Sequence, residues 1–168
     1  MNSFLKMIEK ISHGFAIFTS FLVFLLVASL TYEVFARYLF KAPTIWAFDL
    51  SYMLFGSIFM LGSAYTLLNK KHIRTDIFYH KWSIKRQGMV DALMYLFLFF
   101  PGMIFFLIAG WDYAALAWFS RERAQFSPWM PVIYPFKTVM PIAAALLILQ
   151  GICEFVKSLH AWKSGEWK

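Results

Sequence analysis

Four stretches of this chain carry no Asp, Glu, Lys or Arg: Ile11 to Tyr32, Leu50 to Asn69, Ala92 to Trp111 and the shorter Thr138 to Cys153. A bilayer hydrocarbon core about 30 Å thick takes roughly 20 apolar residues per helical crossing, so each stretch marks a predicted membrane span. Lys137, at the mouth of the last, can snorkel to the interface, which lets the fourth helix run from Pro135 to about Leu159. With 61% hydrophobic residues, 21% aromatic and only 15% charged, the 168-residue chain is too apolar for a soluble domain. The predicted fold class is all-α: one integral membrane four-helix bundle over residues 1–168, with spans at about 11–37, 45–69, 86–111 and 135–158. Lys6 and Lys10 ahead of the first span also suit a signal peptide. That apolar run is too long for one and lacks an A-x-A site, so it reads as a retained helix.

A net charge of +7 raises nucleic acid as a partner, but the charges are distributed by topology. Eleven basic residues lie before span one, between spans two and three, or after span four: Lys6, Lys10, Lys70, Lys71, Arg74, Lys81, Lys85, Arg86, Lys157, Lys163 and Lys168. The other side has Arg37, Lys41, Arg121, Arg123 and Lys137, offset by Glu33, Asp49, Asp112 and Glu122. The positive-inside rule puts both termini and the central loop in the cytoplasm, and no nucleic acid is expected.

Local signals refine the outline. Glu33 and Arg37 stand at i, i+4 and can pair across one turn. Pro43 then stops the first helix, Thr44 is a predicted N-cap for the second, and Asp49 sits near that helix's positive end. Trp46 belongs to an outer aromatic belt with Trp111, Tyr113, Trp118 and Trp129. Pro101-Gly102 predicts a kink in span three, and Tyr113 to Phe119 continues its helical period at the outer surface. Pro128, Pro131 and Pro135 predict a stiff, extended re-entry into span four, which Pro141 should bend. Gly56, Gly62, Ser57 and Ser63 put small residues on adjacent turns of span two. This stripe suits docking of a partner, or packing within the bundle.

Candidate chemistry is sparse. His13, His72, His80 and His160 lie at or beyond the cytoplasmic span ends, not inside a span where a haem ligand belongs. His72 and Asp76, four apart, lack a third donor for a metal. No ionisable residue falls mid-span, where a transporter's substrate path would show itself. Cys153, in an apolar helix, is expected to pack as a small hydrophobe.

The run from Glu33 to Asp49, EVFARYLFKAPTIWAFD, resembles the E-V-x-x-R-Y-x-F-x-x-P-x-x-W-x-x-E/D signature of the small membrane subunit of tripartite ATP-independent periplasmic (TRAP) transporters. Leu61-Gly62-Ser63-Ala64-Tyr65 followed by His72-Ile73-Arg74-Thr75-Asp76 is similar to that family's second pattern, as is Ala145 to Gly151 near the end of span four. Asp49, Ser63 and Thr75 depart mildly from the commoner residues. The resemblance implies a DctQ-like accessory subunit that is not an enzyme and has four helices with both termini cytoplasmic. It would hold no cofactor of its own, sodium being bound by a large multi-span partner subunit. It would sit among the lipids of a bacterial inner membrane, where a periplasmic binding protein delivers an organic acid. Candidate structural or interface residues are Glu33, Arg37, Pro43, Trp46, Asp49, Gly56, Gly62, His72 and Asp76, with Asp49 expected to approach the Arg37 guanidinium from span two. The alternatives are a cytochrome-b-like membrane anchor of an oxidoreductase, kept open by four spans and the histidines, and an independent small exporter.

Overall fold

The computed structural model describes residues 3–69, 79, 82–125 and 127–166. Four helices in it are long and apolar enough to cross a membrane: α1 (Ser3–Tyr38), α2 (Ala47–Leu68), α3 (Ile84–Phe119) and α4 (Tyr134–Ser164). The first begins well before the charge-free stretch and the third runs well past it, because Lys6, Glu9, Lys10, Asp112 and Tyr113 are all absorbed into helix. The predicted surface extension at Tyr113 to Phe119 is thus part of one rod with span three.

The four rods are not equivalent. Helix α4 packs on all three others, α1 packs chiefly on α2, and α3 packs on α4. Accordingly 44% of the most apolar window of α4 is buried, against 11% for α1 and for α3. Small residues make this possible: Ala143, Ala144, Gly151, Cys153, Ser158 and Ala161 of α4 are all buried, which lets neighbouring backbones approach closely. Gly88 at the start of α3 shows the limit of that approach. A Cβ there would lie 2.6 Å from the Trp162 backbone nitrogen and 2.7 Å from the Ser158 carbonyl oxygen. As expected, Cys153 is buried as an apolar residue, in a cluster with Leu5, Ile8 and Leu149.

The irregularity near Pro101 takes the form of a π-helical turn at Tyr95–Phe99, just ahead of the proline. Proline has no N–H to give the carbonyl four residues back and its ring collides with that carbonyl, so a widened turn there relieves both. The same turn brings the Phe99 ring onto Gly151, where a Cβ would come within 2.3 Å of it. Tyr95, Phe100 and Phe155 extend the aromatic contact around it. In α4 the break falls at Thr138, between the turn Tyr134–Lys137 and the helix Val139–Ser164, three residues ahead of Pro141.

The connection between α3 and α4 departs from the extended form its prolines predict. It folds back as a short hairpin: Arg123 and Val132 form an antiparallel bridge, Ala124 N–H donates to the Pro131 carbonyl at 3.0 Å, and Ile133 N–H to that of Glu122 at 3.2 Å. Arg121 and Met130 turn its corners with φ of 47° each. This hairpin and the α1–α2 turn lie together at the end of the bundle opposite the termini, called the distal end below.

Candidate functional site

The signature residues from Glu33 to Asp49 build the distal end. Glu33, on the last turns of α1, receives Arg37 Nε at 2.9 Å and Nη2 at 2.5 Å on its Oε1. Its other oxygen accepts the Thr44 amide at 3.0 Å and also the Thr44 hydroxyl. The Thr44 hydroxyl in turn accepts the Ala47 amide at 3.3 Å; the N-cap position itself is Trp46, two residues later than expected, so Thr44 serves the first amide of α2 from outside the cap. Lys41 turns the chain with φ of 53°, a conformation that costs an L-residue about 1 to 2 kcal/mol. Four charge-assisted hydrogen bonds to one carboxylate offset that cost. Pro43 lies in the turn, and Trp46 stacks on Tyr32 of α1 with ring centroids 5.7 Å apart.

Asp49 does not meet Arg37. It is buried on the first turn of α2 and instead accepts the Ser127 hydroxyl of the distal hairpin. Ser127 also accepts the Trp129 amide at 3.2 Å. The two acidic residues of the signature therefore do separate tasks. Glu33 closes the α1–α2 turn, and Asp49 ties the hairpin to α2. A second tie fastens the hairpin to α4: Lys137 Nζ reaches Glu122 Oε2 at 2.6 Å and lies 3.8 Å over the Tyr113 ring. Its side chain is only 9% exposed, so Lys137 is enclosed by these partners. Beside it Trp118 Nε1 donates to Thr138 Oγ1 at 2.8 Å.

The two glycines of the span-two stripe part company. Gly56 faces Phe136, whose ring would meet a Cβ at 2.8 Å, so it packs within the bundle. Gly62 has nothing within 4 Å of that position and is open. His72 and Asp76 lie outside the described residues. His13 contacts the Tyr65 ring at 5.8 Å between centroids.

A second polar group, near the terminal end of the bundle, escaped the reading of the sequence. Lys157 Nζ bridges Glu9 of α1 at 2.9 Å and Glu154 of α4 at 2.8 Å. One turn deeper Ser12 donates to Gln150 Oε1 at 3.0 Å. Gln150 is wholly buried, and its Nε2 has no partner. The available signal was the spacing of Gln150, Glu154, Lys157 and Ser158 on one face of α4, opposite Glu9 and Ser12 on one face of α1. The Lys157–Glu9 and Ser12–Gln150 contacts join α4 to α1, while Lys157–Glu154 lies within α4. Among the described residues no group of three His, Cys, Asp or Glu side chains could hold a metal ion.

A family model described as the DctQ component of tripartite ATP-independent periplasmic transporters matches residues 26–161. The chain belongs to this family. The match spans most of the chain and takes in Glu33, Asp49, Ser127, Lys137 and Gln150, the residues that bind the helices to one another. No curated protein sequence matches at a significant level. Family membership makes the chain the small membrane subunit of a TRAP transporter, a multi-pass membrane protein and not an enzyme. It sets aside the anchor of an oxidoreductase.

Proposed function

We propose that the chain is the scaffold subunit of a sodium-coupled importer of an organic acid in a bacterial inner membrane. Both termini lie in the cytoplasm and the distal end in the periplasm. It assembles with a large multi-span subunit that binds sodium and substrate and with a periplasmic binding protein that delivers the substrate. The membership above and the basic residues of the central loop and termini support this reading.

One observation carries the scaffold role. Helices α1 and α3 present bulky apolar side chains away from the bundle, among them Phe18, Phe21, Phe24, Phe97, Leu98 and Phe105, all at least half exposed or close to it. Among the described residues the buried polar side chains of α1 and α4 are engaged mainly with one another, Ser12 with Gln150 and Lys157 with Glu9 and Glu154. Such a molecule holds a partner in position; it does not itself carry a solute.

The test is co-expression with the large membrane protein and the secreted binding protein of neighbouring reading frames. The tagged chain should retain the large protein in detergent. Uptake of a labelled organic acid should need all three proteins and an inward sodium gradient. Uptake by the chain alone in proteoliposomes, or full uptake in its absence, would refute the reading.

A further inference from the structure

A groove of about 790 Å³ lies at the distal end between the start of α2 and the hairpin. That is the size of a small-molecule pocket, but its position is that of a lipid. It sits where α2 and α4 begin, and the ends of membrane-spanning helices lie near the level where hydrocarbon gives way to headgroups. It is lined by Ile45, Phe48, Tyr52, Met53 and Ile133 and opens sideways along α2, where Phe48 is 81% exposed and Phe55 and Phe59 continue the same exposed face.

Of the three charged residues in its lining, Asp49, Glu122 and Arg123, two are spent on internal contacts. Asp49 is held by Ser127, Glu122 by Lys137, and Thr44 by Glu33. Arg123, also in the lining, is exposed and makes no ion pair or side-chain hydrogen bond among the described residues. Its backbone is fixed by the isolated bridge to Val132, so the guanidinium is carried on an anchored position of the hairpin. The groove thus offers an apolar wall of aromatic and aliphatic side chains topped by one unspent cation, complementary to an amphiphile with an anionic head.

We propose that this groove binds one glycerophospholipid of net negative headgroup, with its acyl chains along Phe48, Tyr52 and Met53 and its phosphate on Arg123. Guanidinium and phosphate match in geometry as well as charge, since two parallel N–H groups can meet two oxygens. One basic residue near an anionic lipid surface contributes about 1 kcal/mol, which corresponds to roughly five-fold enrichment over neutral lipid.

The test places the photocrosslinker p-benzoylphenylalanine at Phe48 of the full chain, in cells that make its partner proteins, and identifies the adducts by mass spectrometry. The control is the same crosslinker at Phe59, exposed on the same helix about 16 Å deeper. Anionic phospholipid should be enriched roughly five-fold at position 48 over position 59. Arg123→Gln should abolish the enrichment, whereas Arg121→Gln, which removes an exposed cation of the same loop outside the groove, should preserve it. Equal lipid composition at both positions would mean adventitious bulk lipid only and would overturn the proposal. So would adducts chiefly to protein, an unchanged enrichment in Arg123→Gln, or equal losses in the two arginine variants.

Discussion

Thr44 sends both its amide and its hydroxyl hydrogen to one oxygen of Glu33, so the α1–α2 turn hangs from a carboxylate eleven residues upstream. Arg37 holds the other oxygen of the same group, but from a side chain that is 54% exposed. The contributions are therefore unequal. Glu33→Ala strands several donors at once and should destabilise the chain by about 1 to 3 kcal/mol. Arg37→Ala removes a largely solvated partner and should cost less than about 1 kcal/mol. Melting of the purified assembly, followed by loss of the monodisperse peak on heating, reads both; a larger loss for Arg37→Ala would contradict the geometry.

The hairpin is tethered by Asp49 and Ser127 acting as one contact. Asp49→Asn, Ser127→Ala and the double variant should raise hydrogen exchange in residues 122–133 to the same degree, because groups that share one interaction are not additive. Additive effects would show that the two side chains act separately.

The glycines make a graded series. Gly88→Ala drives a methyl group into the backbone of α4, which cannot give way, and should cost at least 1 to 3 kcal/mol, the usual range for overpacking. Gly56→Ala meets the edge of the Phe136 ring, which can turn aside, and should cost less. Gly62→Ala should leave the melting temperature of the isolated chain unchanged, since the site is open. Loss of the large subunit from Gly62→Leu without a fall in that temperature would then mark position 62 as a partner contact.

The terminal-end cluster offers two opposite expectations. Lys157→Met leaves Glu154, whose side chain is 3% exposed, without its counter-charge and should cost about 3 to 5 kcal/mol. Ser12→Ala with Gln150→Leu removes a polar pair that already has one unsatisfied donor, and should be neutral or stabilising by up to about 1 kcal/mol. Thermal melts of both variants in one detergent decide the matter, and comparable destabilisation of the two would refute this account.

What could be read from the sequence followed the range of the interaction. The spans were legible because lipid sets a length and excludes charge, and the Glu33–Arg37 pair because i, i+4 spacing is local. The Ser127 partner of Asp49 was not legible, since it lies 78 residues away and depends on a hairpin where the prolines predict an extended connection. Lys157 reads as one of the basic residues beyond span four, and nothing local singles out Glu9. Only the packing of α1 across α4 places them together with Glu154 under cover. His72 and Asp76 remain candidates from the sequence alone.

The central place of α4 has a consequence for how the molecule is made. Synthesis delivers it after the other three helices, and α3 finds its main contacts there and has no comparable packing on α1 or α2. Until the fourth helix inserts, the nascent protein is a helical pair and a detached rod in the same bilayer, with Glu9 and Ser12 awaiting partners that do not yet exist. Assembly is therefore gated by the insertion of α4. A ribosome that stops before Val139 leaves fragments that quality-control proteases should recognise, not a smaller working subunit.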